Sequence, residues 1–270
     1  AEALGKPLPI SISIGVDPAI EIASCFEPPT TPLGFNELSI AGAIRGKAVE
    51  LAPCVTIDEK CIANAEYVIE GELLVGARVI KVKAVTHRVN PIMQTCIGPS
   101  EEHVSMAGIP TEASILDMVE RAMPGRVQNV YAHSSGGGKF IAVIQFKKTV
   151  PSDEGRQRQA ALLAFSAFPE LKQVILVDED VDIFDTNDVL WAMTTRMQAD
   201  VDIVTIPGVR CHPLDPSNDP ACSWSIRDHG IACKTIYDAT VPFNQKARFQ
   251  RAKFMEVDVK KFLPDFTVQD

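Results

Sequence analysis

The segment 29–50, PTTPLGFNELSIAGAIRGKAVE, contains a carboxylate whose position suggests chemistry. A loop rich in Pro and Thr leads to Asn36 and Glu37, and an apolar run then continues to Gly46. Asn before such a run and Gly after it are typical signals for the start and the end of a helix. The sequence therefore predicts a buried helix that carries the carboxylate of Glu37 in its first turn.

The spacing leaves two interpretations of Glu37 open. A carboxylate in the first turn complements the helix dipole, which stabilises a helix by a few tenths of a kcal/mol up to about 1 kcal/mol. The same carboxylate can instead bind a cation or a cofactor. Spacing alone favours the first interpretation.

Lys139 lies in a glycine-rich segment, HSSGGGKF (133–140), which is not a phosphate-binding loop. Such a loop needs Gly five residues before its Gly-Lys pair and Ser or Thr after the lysine, whereas this chain has His133 and Phe140 there. The segment is interpreted as a connection between two strands. Lys139 remains a candidate, because an ammonium at the mouth of an apolar strand is costly without a partner.

Two of the five histidines have a supporting context. His103 follows two glutamates in a predicted polar loop, GPSEEHVSMAG, and His212 follows a predicted strand of a parallel sheet. Loops at the carboxyl ends of parallel strands line ligand crevices, so His212 is expected at such a crevice. Taken singly, each of the five histidines can also be interpreted as a surface or structural residue, and His87, His133 and His229 lack a supporting context.

Neither the acidic segment VDEDVDIFD (177–185) nor the cysteines predict a metal site. A calcium loop starting at Asp178 would need Gly in place of Ile183 and Glu in place of Val189, so a strand-to-helix connection with acidic caps is predicted. The seven cysteines include no C-x-x-C pair and are interpreted as reduced thiols of a cytoplasmic protein. Cys211 and His212 are neighbours, and adjacent residues rarely ligate one zinc ion.

The composition is that of a globular protein, with 270 residues of which 46% are hydrophobic and 23% charged, and a net charge of −9. An acidic chain without a stripe of Lys and Arg is a poor binder of nucleic acid. No apolar run approaches the roughly 20 residues of a membrane span, so neither nucleic acid nor a membrane is expected as a partner. The chain starts without Met, in AEALGKPLPISISIG, and is expected to be part of a longer protein.

The patterns predict an α/β fold in two domains, 1–110 and 111–270. In the first, a short helix at 16–25 accompanies strands at 8–14, 48–56, 66–74, 79–86 and 91–97, which suggests a barrel or an antiparallel sheet. In the second, helices at 111–123, 153–168 and 187–198 alternate with strands at 126–132, 140–146, 173–178 and 202–206. Such alternation predicts a parallel sheet.

Taken together, several stretches resemble the UbiD-type decarboxylases that use prenylated flavin, and above all their gallate and protocatechuate (3,4-dihydroxybenzoate) subgroup. The stretches are DPAIEIASCFEPPTTPLGFNELSIAGAIRG, AEYVIEGELL, IKVKAVTHR, GPSEEHVSMAGIPTEASI, GGGKF, DEDVDIFDTNDVLWAMTTRMQ and KTIYDATVPF. The resemblance implies part of a split β-barrel flavin-binding domain over 1–110. It also implies, over 111–270, a three-layer α/β domain with a mainly parallel sheet that provides oligomer contacts and part of the substrate pocket.

The resemblance also implies a cofactor site. Glu37 matches the glutamate of the family's G-x-N-E-x-x-x-A-G helix, which ligates a divalent metal, Mn or Mg, that bridges the flavin phosphate. Pro29, Thr30 and Thr31 match the segment along the prenylated FMN. K⁺ is a further candidate ion, a flavin prenyltransferase would supply the cofactor, and the protein would form a homo-oligomer, a dimer or a hexamer.

Three further positions match residues that face a small aromatic acid substrate in the subgroup. Lys139 and His103 are assigned to the ring hydroxyls, and His212 to the shape and polarity of the pocket. The implied reaction is a reversible, non-oxidative decarboxylation of gallate or 3,4-dihydroxybenzoate. The alternatives are 4-hydroxybenzoate or a polyprenylated hydroxybenzoate as the substrate, or an inactive fragment that serves only in assembly.

The chain departs from the family pattern in two places. The family's metal-ligating Asn and His and its catalytic Arg would lie upstream of Ala1. A loop of a few dozen residues, which ends in a PEFPGY-like motif and supplies a catalytic Glu, is missing where Val79 adjoins Ile80. We expect this loop to belong to the natural protein, because a clean deletion between two strands would be unusual.

Overall fold

A computed structural model describes residues 1–27, 31–76, 79–98, 100–212, 215–218, 230–252, 255 and 257–263. Within these residues the strands are β1 (Leu8–Ile14), β2 (Leu51–Pro53), β3 (Lys60–Ile62), β4 (Tyr67–Leu73), β5 (Ile80–His87), β6 (Val127–Ala132), β7 (Ile141–Phe146), β8 (Gln173–Val177), β9 (Ile203–Arg210) and β10 (Ile231–Ala239). The α-helices are α1 (Pro18–Ala23), α2 (Leu38–Arg45), α3 (Glu101–Ala122), α4 (Arg156–Ala167), α5 (Thr186–Arg196), α6 (Ala199–Asp202) and α7 (Val259–Phe262).

The first part of the chain forms an antiparallel sheet in the order β1-β4-β5, with β2 and β3 as a separate hairpin. Over the described residues this sheet is open and does not close into a barrel. The strand predicted at 91–97 is wrong. Side chains hold this segment in place of a strand ladder, because Glu66 accepts from the Ile92 N–H and Gln94 donates to Glu21.

Helix α2 is the helix predicted after Asn36, but it begins at Leu38, so Glu37 is its N-cap residue and does not lie in its first turn. The Asn36 side chain accepts from the Leu38 N–H at 3.1 Å, and Gly46 ends the helix with a φ of 69°. The expectation that α2 is buried is wrong, because only Ala41 is fully buried and Ile44 is 56% exposed. The helix packs one side on α1 and leaves the other side open.

The second part forms a five-stranded mixed sheet in the order β6-β7-β8-β10-β9. Its centre, β7, β8 and β10, is parallel, whereas the edge strands β6 and β9 run antiparallel to their neighbours. The α/β prediction is confirmed, but the sheet is less parallel than predicted. After β8 the chain first forms β9, the edge strand of the sheet, and then β10, which lies between β9 and β8. The sequence patterns did not predict β10.

Helices cover both faces of this sheet. One core cluster joins β6, β7 and β8 to α3 and α4, and a second joins the opposite face to α5. Helix α3 begins ten residues earlier than the predicted helix, so residue 110 lies inside a helix and the predicted polar loop around His103 is its first turn. Glu101 and Glu102 favour this early start, because carboxylates stabilise the first turn of a helix.

Candidate active site

The connection from β6 to β7, which carries Lys139, brings Gly138 against helix α3. It is a strand connection, as predicted. Its Gly137 and Gly138 have φ values of 64° and 70°, which favour glycine. A Cβ on Gly138 would lie 2.7 Å from the carbonyl oxygen of Val104 in α3. Only glycine therefore allows the segment to approach α3 this closely.

His133 fixes the start of the same connection. Its Nδ1 accepts from the Ser135 N–H at 3.1 Å, and its Nε2 lies 2.9 Å from the Thr186 hydroxyl at the start of α5. Burial lowers the pKa of His133, which favours the neutral ring. This histidine is structural, as the sequence suggested.

Lys139 lies between two carboxylates. Its Nζ is 3.2 Å from Glu27 Oε1 and 3.3 Å from Glu170 Oε2. Burial alone would lower the pKa of Lys139, but the charges of Glu170 and Glu27 outweigh it and raise the pKa above the ordinary value. The side chain is a cation at neutral pH, and two of its three N–H donors have carboxylate partners among the described residues.

His212 meets Lys139 through the same carboxylate. Its Nε2 lies 3.1 Å from Glu170 Oε2, and its ring packs edge-on against Phe140 with 5.5 Å between the ring centres. The Phe140 carbonyl accepts from the Lys172 and Gln173 N–H groups, which ties the Lys139 segment to the segment of Glu170. The structure thus brings two of the predicted residues together.

The site lies at the amino ends of the parallel strands and not at their carboxyl ends, as had been expected. His212 follows β9, but β9 is antiparallel to β10, so its carboxyl end lies beside the amino ends of β7, β8 and β10. The crevice rule for carboxyl ends of parallel strands therefore does not describe His212. Lys139 and Glu170 lie at this edge because each precedes its strand, β7 or β8.

Sequence reasoning missed Glu27 and Glu170. Glu170 stands three residues before β8, in FPELKQ, and Glu27 directly precedes the Pro-Pro-Thr segment. A usable signal existed for Glu170, since acidic and basic residues that precede neighbouring parallel strands meet at one edge. No local signal marked Glu27.

His103 is exposed in the first turn of α3. It lies next to Val104, whose carbonyl faces Gly138, and Gly138 precedes Lys139. His103 and Lys139 are therefore each one residue away from the contact between Val104 and Gly138. In the part of the chain that the structure describes, no bond joins the two side chains.

Glu37 and Thr31 lie on the loop and the helix start that the resemblance assigned to the cofactor. Glu37 borders a depression of about 350 Å³, which Ser24 and Asn36 also line. Thr31 is buried, and its N–H donates to the Glu27 carbonyl at 3.3 Å, so the cofactor segment is joined to the partner of Lys139. Pro29 and Thr30 lie outside the described residues.

Glu37 fits a divalent metal as a single ligand. Its carboxylate is the hard oxygen donor that Mg²⁺ and Mn²⁺ prefer. Among the described residues, no three His, Cys, Asp or Glu side chains are grouped to hold a metal ion. The remaining ligands would therefore come from elsewhere in the protein.

The acidic segment after β8 has the capping role predicted for it. Asp185 accepts from the Asn187 N–H at the start of α5 at 2.9 Å. Asp178 and Asp180 both bond Arg196 near the end of the same helix.

Within the described ranges, no helix is long and apolar enough to cross a membrane.

Comparison with protein-family models matches residues 104–239 to the C-terminal domain of 3-octaprenyl-4-hydroxybenzoate carboxy-lyase, UbiD, and residues 1–79 to its Rift-related domain. The chain is 56% identical to a gallate decarboxylase of Lactiplantibacillus plantarum, over 97% of this chain and 60% of that protein. It is 34% identical to an anhydromevalonate phosphate decarboxylase of Aeropyrum pernix, over 94% and 59%.

Solved structures agree with this pattern. The apo 3,4-dihydroxybenzoic acid decarboxylase of Klebsiella pneumoniae superposes with a TM-score of 0.86 at 57% identity, over 98% of this chain and 60% of that one. The UbiD-class enzyme HmfF of Pelotomaculum thermopropionicum, in complex with FMN, gives 0.83 at 35% identity, over 98% and 61%. The chain thus spans about 60% of the length of the relatives that it matches.

Proposed function

Because this chain belongs to the UbiD family of carboxy-lyases, we propose that the whole protein decarboxylates gallate or 3,4-dihydroxybenzoate reversibly and without net oxidation. The observation that carries the proposal is the Lys139 ammonium, held beside His212 by one carboxylate at the edge of the sheet. A fixed cation of this kind suits a phenolic ring, whose hydroxyl must be held as an oxyanion.

The chemistry requires more than side chains. Loss of CO2 from an electron-rich ring leaves a charge that the ring cannot delocalise, and prenylated FMN, when bound, supplies the electron sink. Lys139 would bind a ring hydroxyl through its remaining donor. An adjacent cation lowers the pKa of a phenol, ordinarily near 10, by roughly 1–3 units, which raises the electron density of the ring.

The finer assignments belong to the same proposal. His103 would bind a second hydroxyl and His212 would shape the pocket, while Pro29, Thr30 and Thr31 would line the cofactor. A flavin prenyltransferase would supply that cofactor, and the protein would form a dimer or a hexamer, with K⁺ as a further ion. We also propose two domains, although the continuity of α3 favours a joint before Glu101 over one at residue 110.

The test uses the full-length protein produced together with a flavin prenyltransferase. We expect yellow protein that converts gallate to pyrogallol or 3,4-dihydroxybenzoate to catechol, and no activity in protein produced without the prenyltransferase. 4-Hydroxybenzoate, offered in parallel, tests the alternative substrate. Turnover by flavin-free protein would refute the mechanism, and loaded protein that acts on no hydroxybenzoate would refute the function and favour a role in assembly.

Replacing Glu37 tests the metal site. We expect Glu37→Gln to lower the metal and flavin content of purified protein, because an amide is an uncharged and poorer ligand for a hard divalent cation. Metal analysis and flavin absorbance measure both contents. Glu50→Gln, an exposed glutamate just beyond α2, serves as the control. Unchanged metal and flavin contents in Glu37→Gln would contradict the metal site and leave Glu37 with a role only at the start of the helix.

A further inference from the structure

The main chain around Glu170 is anchored by side chains that contact its carbonyl oxygens. The Lys234 ammonium donates to the carbonyl oxygens of Pro169, at 2.6 Å, and of Leu171. The Cys211 thiol lies 3.7 Å from the carbonyl oxygen of Glu170 itself. Three consecutive carbonyls therefore have side-chain partners, which fixes the backbone from which the Glu170 carboxylate extends.

The Glu170 carboxylate contacts the two site residues through a single atom. Oε2 lies 3.3 Å from Lys139 Nζ and 3.1 Å from His212 Nε2, so these two nitrogens stay close to each other. A lysine ammonium on its flexible four-carbon stem otherwise has many positions available. Binding to an anchored carboxylate selects one of them.

We propose that Glu170 is a positioning residue, which holds the Lys139 and His212 side chains in place for the substrate. Lys234 in turn anchors the main chain on both sides of Glu170. The proposal rests on the proposed function for the identity of the substrate, but the arrangement of the side chains does not depend on it. Prior placement of binding groups contributes to rate because the order need not be created during the reaction.

Glu27 differs from Glu170 in ways that bear on the proposal. Its side chain is 37% exposed against 23% for Glu170, and it contacts Lys139 without reaching His212 in the contacts described. It also belongs to the other family-matched unit of the chain. We therefore expect Glu27 to balance the charge of Lys139 and Glu170 to set its position.

The surroundings of Lys234 suit a residue that anchors the main chain. It is 4% exposed, and its ammonium lies 5.0 Å from the centre of the Phe165 ring. Burial lowers the pKa of Lys234 to about 8, although the negative charge of Glu170 opposes this shift. The ammonium form therefore prevails at neutral pH and makes charge-assisted bonds to both carbonyls.

The first test compares Glu170→Gln with wild type in full-length, flavin-loaded protein. We expect kcat/KM for 3,4-dihydroxybenzoate to fall roughly ten- to hundredfold, because two charge-assisted contacts are lost. Glu27→Gln should cost less, since the Glu170 bridge remains. Glu72→Gln, which alters a carboxylate bonded to Lys83 at 2.6 Å in the β4–β5 sheet, is the matched control. Flavin content is measured in every preparation.

A second readout follows the Lys139 ammonium itself. Isotope-coded acetic anhydride, with mass spectrometry, measures the reactivity of Lys139 at mildly alkaline pH. Glu170 helps to raise the pKa of Lys139, so Glu170→Gln should lower that pKa and increase acetylation. This readout does not require turnover. If wild-type protein acts on no hydroxybenzoate, the proposed function fails and the labelling still decides the positioning role.

The third test removes the anchor and leaves every site side chain in place. Lys234→Met replaces a buried charge by an apolar chain of similar length, so it remains informative if Glu170→Gln does not fold. We expect a smaller loss of kcat/KM in the same direction, with no further loss when it is combined with Glu170→Gln. Additive losses, unchanged acetylation of Lys139, or a Glu170→Gln variant within about threefold of wild type would overturn the proposal.

Discussion

Charge balance around Lys139 governs the candidate site at the scale of single residues. One ammonium faces the two carboxylates of Glu27 and Glu170, and the imidazole of His212 shares the second of them. A partly exposed ion pair contributes little stability, with a median of about 0–1 kcal/mol. The arrangement therefore contributes little to the stability of the fold, as expected if its role is the proposed one of holding a cation for the substrate.

Lys139→Met tests that explanation directly. Methionine keeps most of the stem and removes the charge, so kcat/KM for 3,4-dihydroxybenzoate should fall roughly ten- to hundredfold, the value of a charged hydrogen bond. The loss should be smaller for an analogue that lacks the contacted hydroxyl. Steady-state kinetics on both substrates, with flavin content checked, measure the difference.

Lys83→Met is the matched control, because Lys83 also pairs with a glutamate but lies in the β4–β5 sheet. Equal losses on the two substrates in Lys139→Met would indicate general damage to the fold. Full activity on both would make Lys139 a purely structural residue.

At the scale of elements, the site depends on how closely the β6–β7 connection approaches helix α3. Gly138 lies against the backbone of Val104 and Gly108, so the two elements meet without a side chain between them. Lys139 directly follows Gly138 and His103 directly precedes Val104, so this contact lies one residue from each of the two candidates. A change in this one contact is therefore expected to affect both candidates.

Gly138→Ala and Gly137→Ala separate steric clash from backbone strain. Both residues have positive φ, so alanine costs each about 1–2 kcal/mol. At Gly138 the added Cβ also meets α3 at 2.7–2.8 Å, whereas at Gly137 it meets open space. Overpacking should add roughly 1–3 kcal/mol at Gly138, measured as the difference in the free energy of unfolding in denaturant. Equal destabilisation would contradict the close packing described here.

At the scale of the whole molecule, polar contacts join the parts that match two family models. Glu27, in the part that matches the first model, pairs with Lys139, 112 positions away in the part that matches the second. Helix α1 also packs against α3. The position of the Lys139 cation therefore depends on how the two parts pack against each other.

The buried charge of Lys234 gives the global stability a defined pH dependence. Its pKa is about 8 in the folded protein and near 10.4 in an unfolded chain, so between these values the unfolded state binds more protons. Stability from this group therefore rises with pH over that window. We expect wild type to gain on Lys234→Met as pH increases from about 8 towards 10, in denaturant titrations at each pH. A constant difference across the window would show that the lysine is not desolvated.

Features that depend on near neighbours in the chain could be predicted from the residues alone. Asn36 and Gly46 bound helix α2 because each acts on the backbone within a few residues. The connection at 133–140 and the cap of Asp185 are local in the same sense. The resemblance to the family could also be found from the sequence, because it rests on short continuous stretches of residues.

Tertiary structure alone decided which of these residues meet. The direction of β9 moved His212 to the amino ends of the parallel strands, and no local pattern encodes the order in which strands join a sheet. Glu170 contacts Lys139, 31 positions away, because β7 and β8 are adjacent and pair in parallel register. The two parallel strands could be predicted from the sequence, but their adjacency and register could not. Contacts of this kind arise from sheet order and register, and these are properties of the packed chain as a whole.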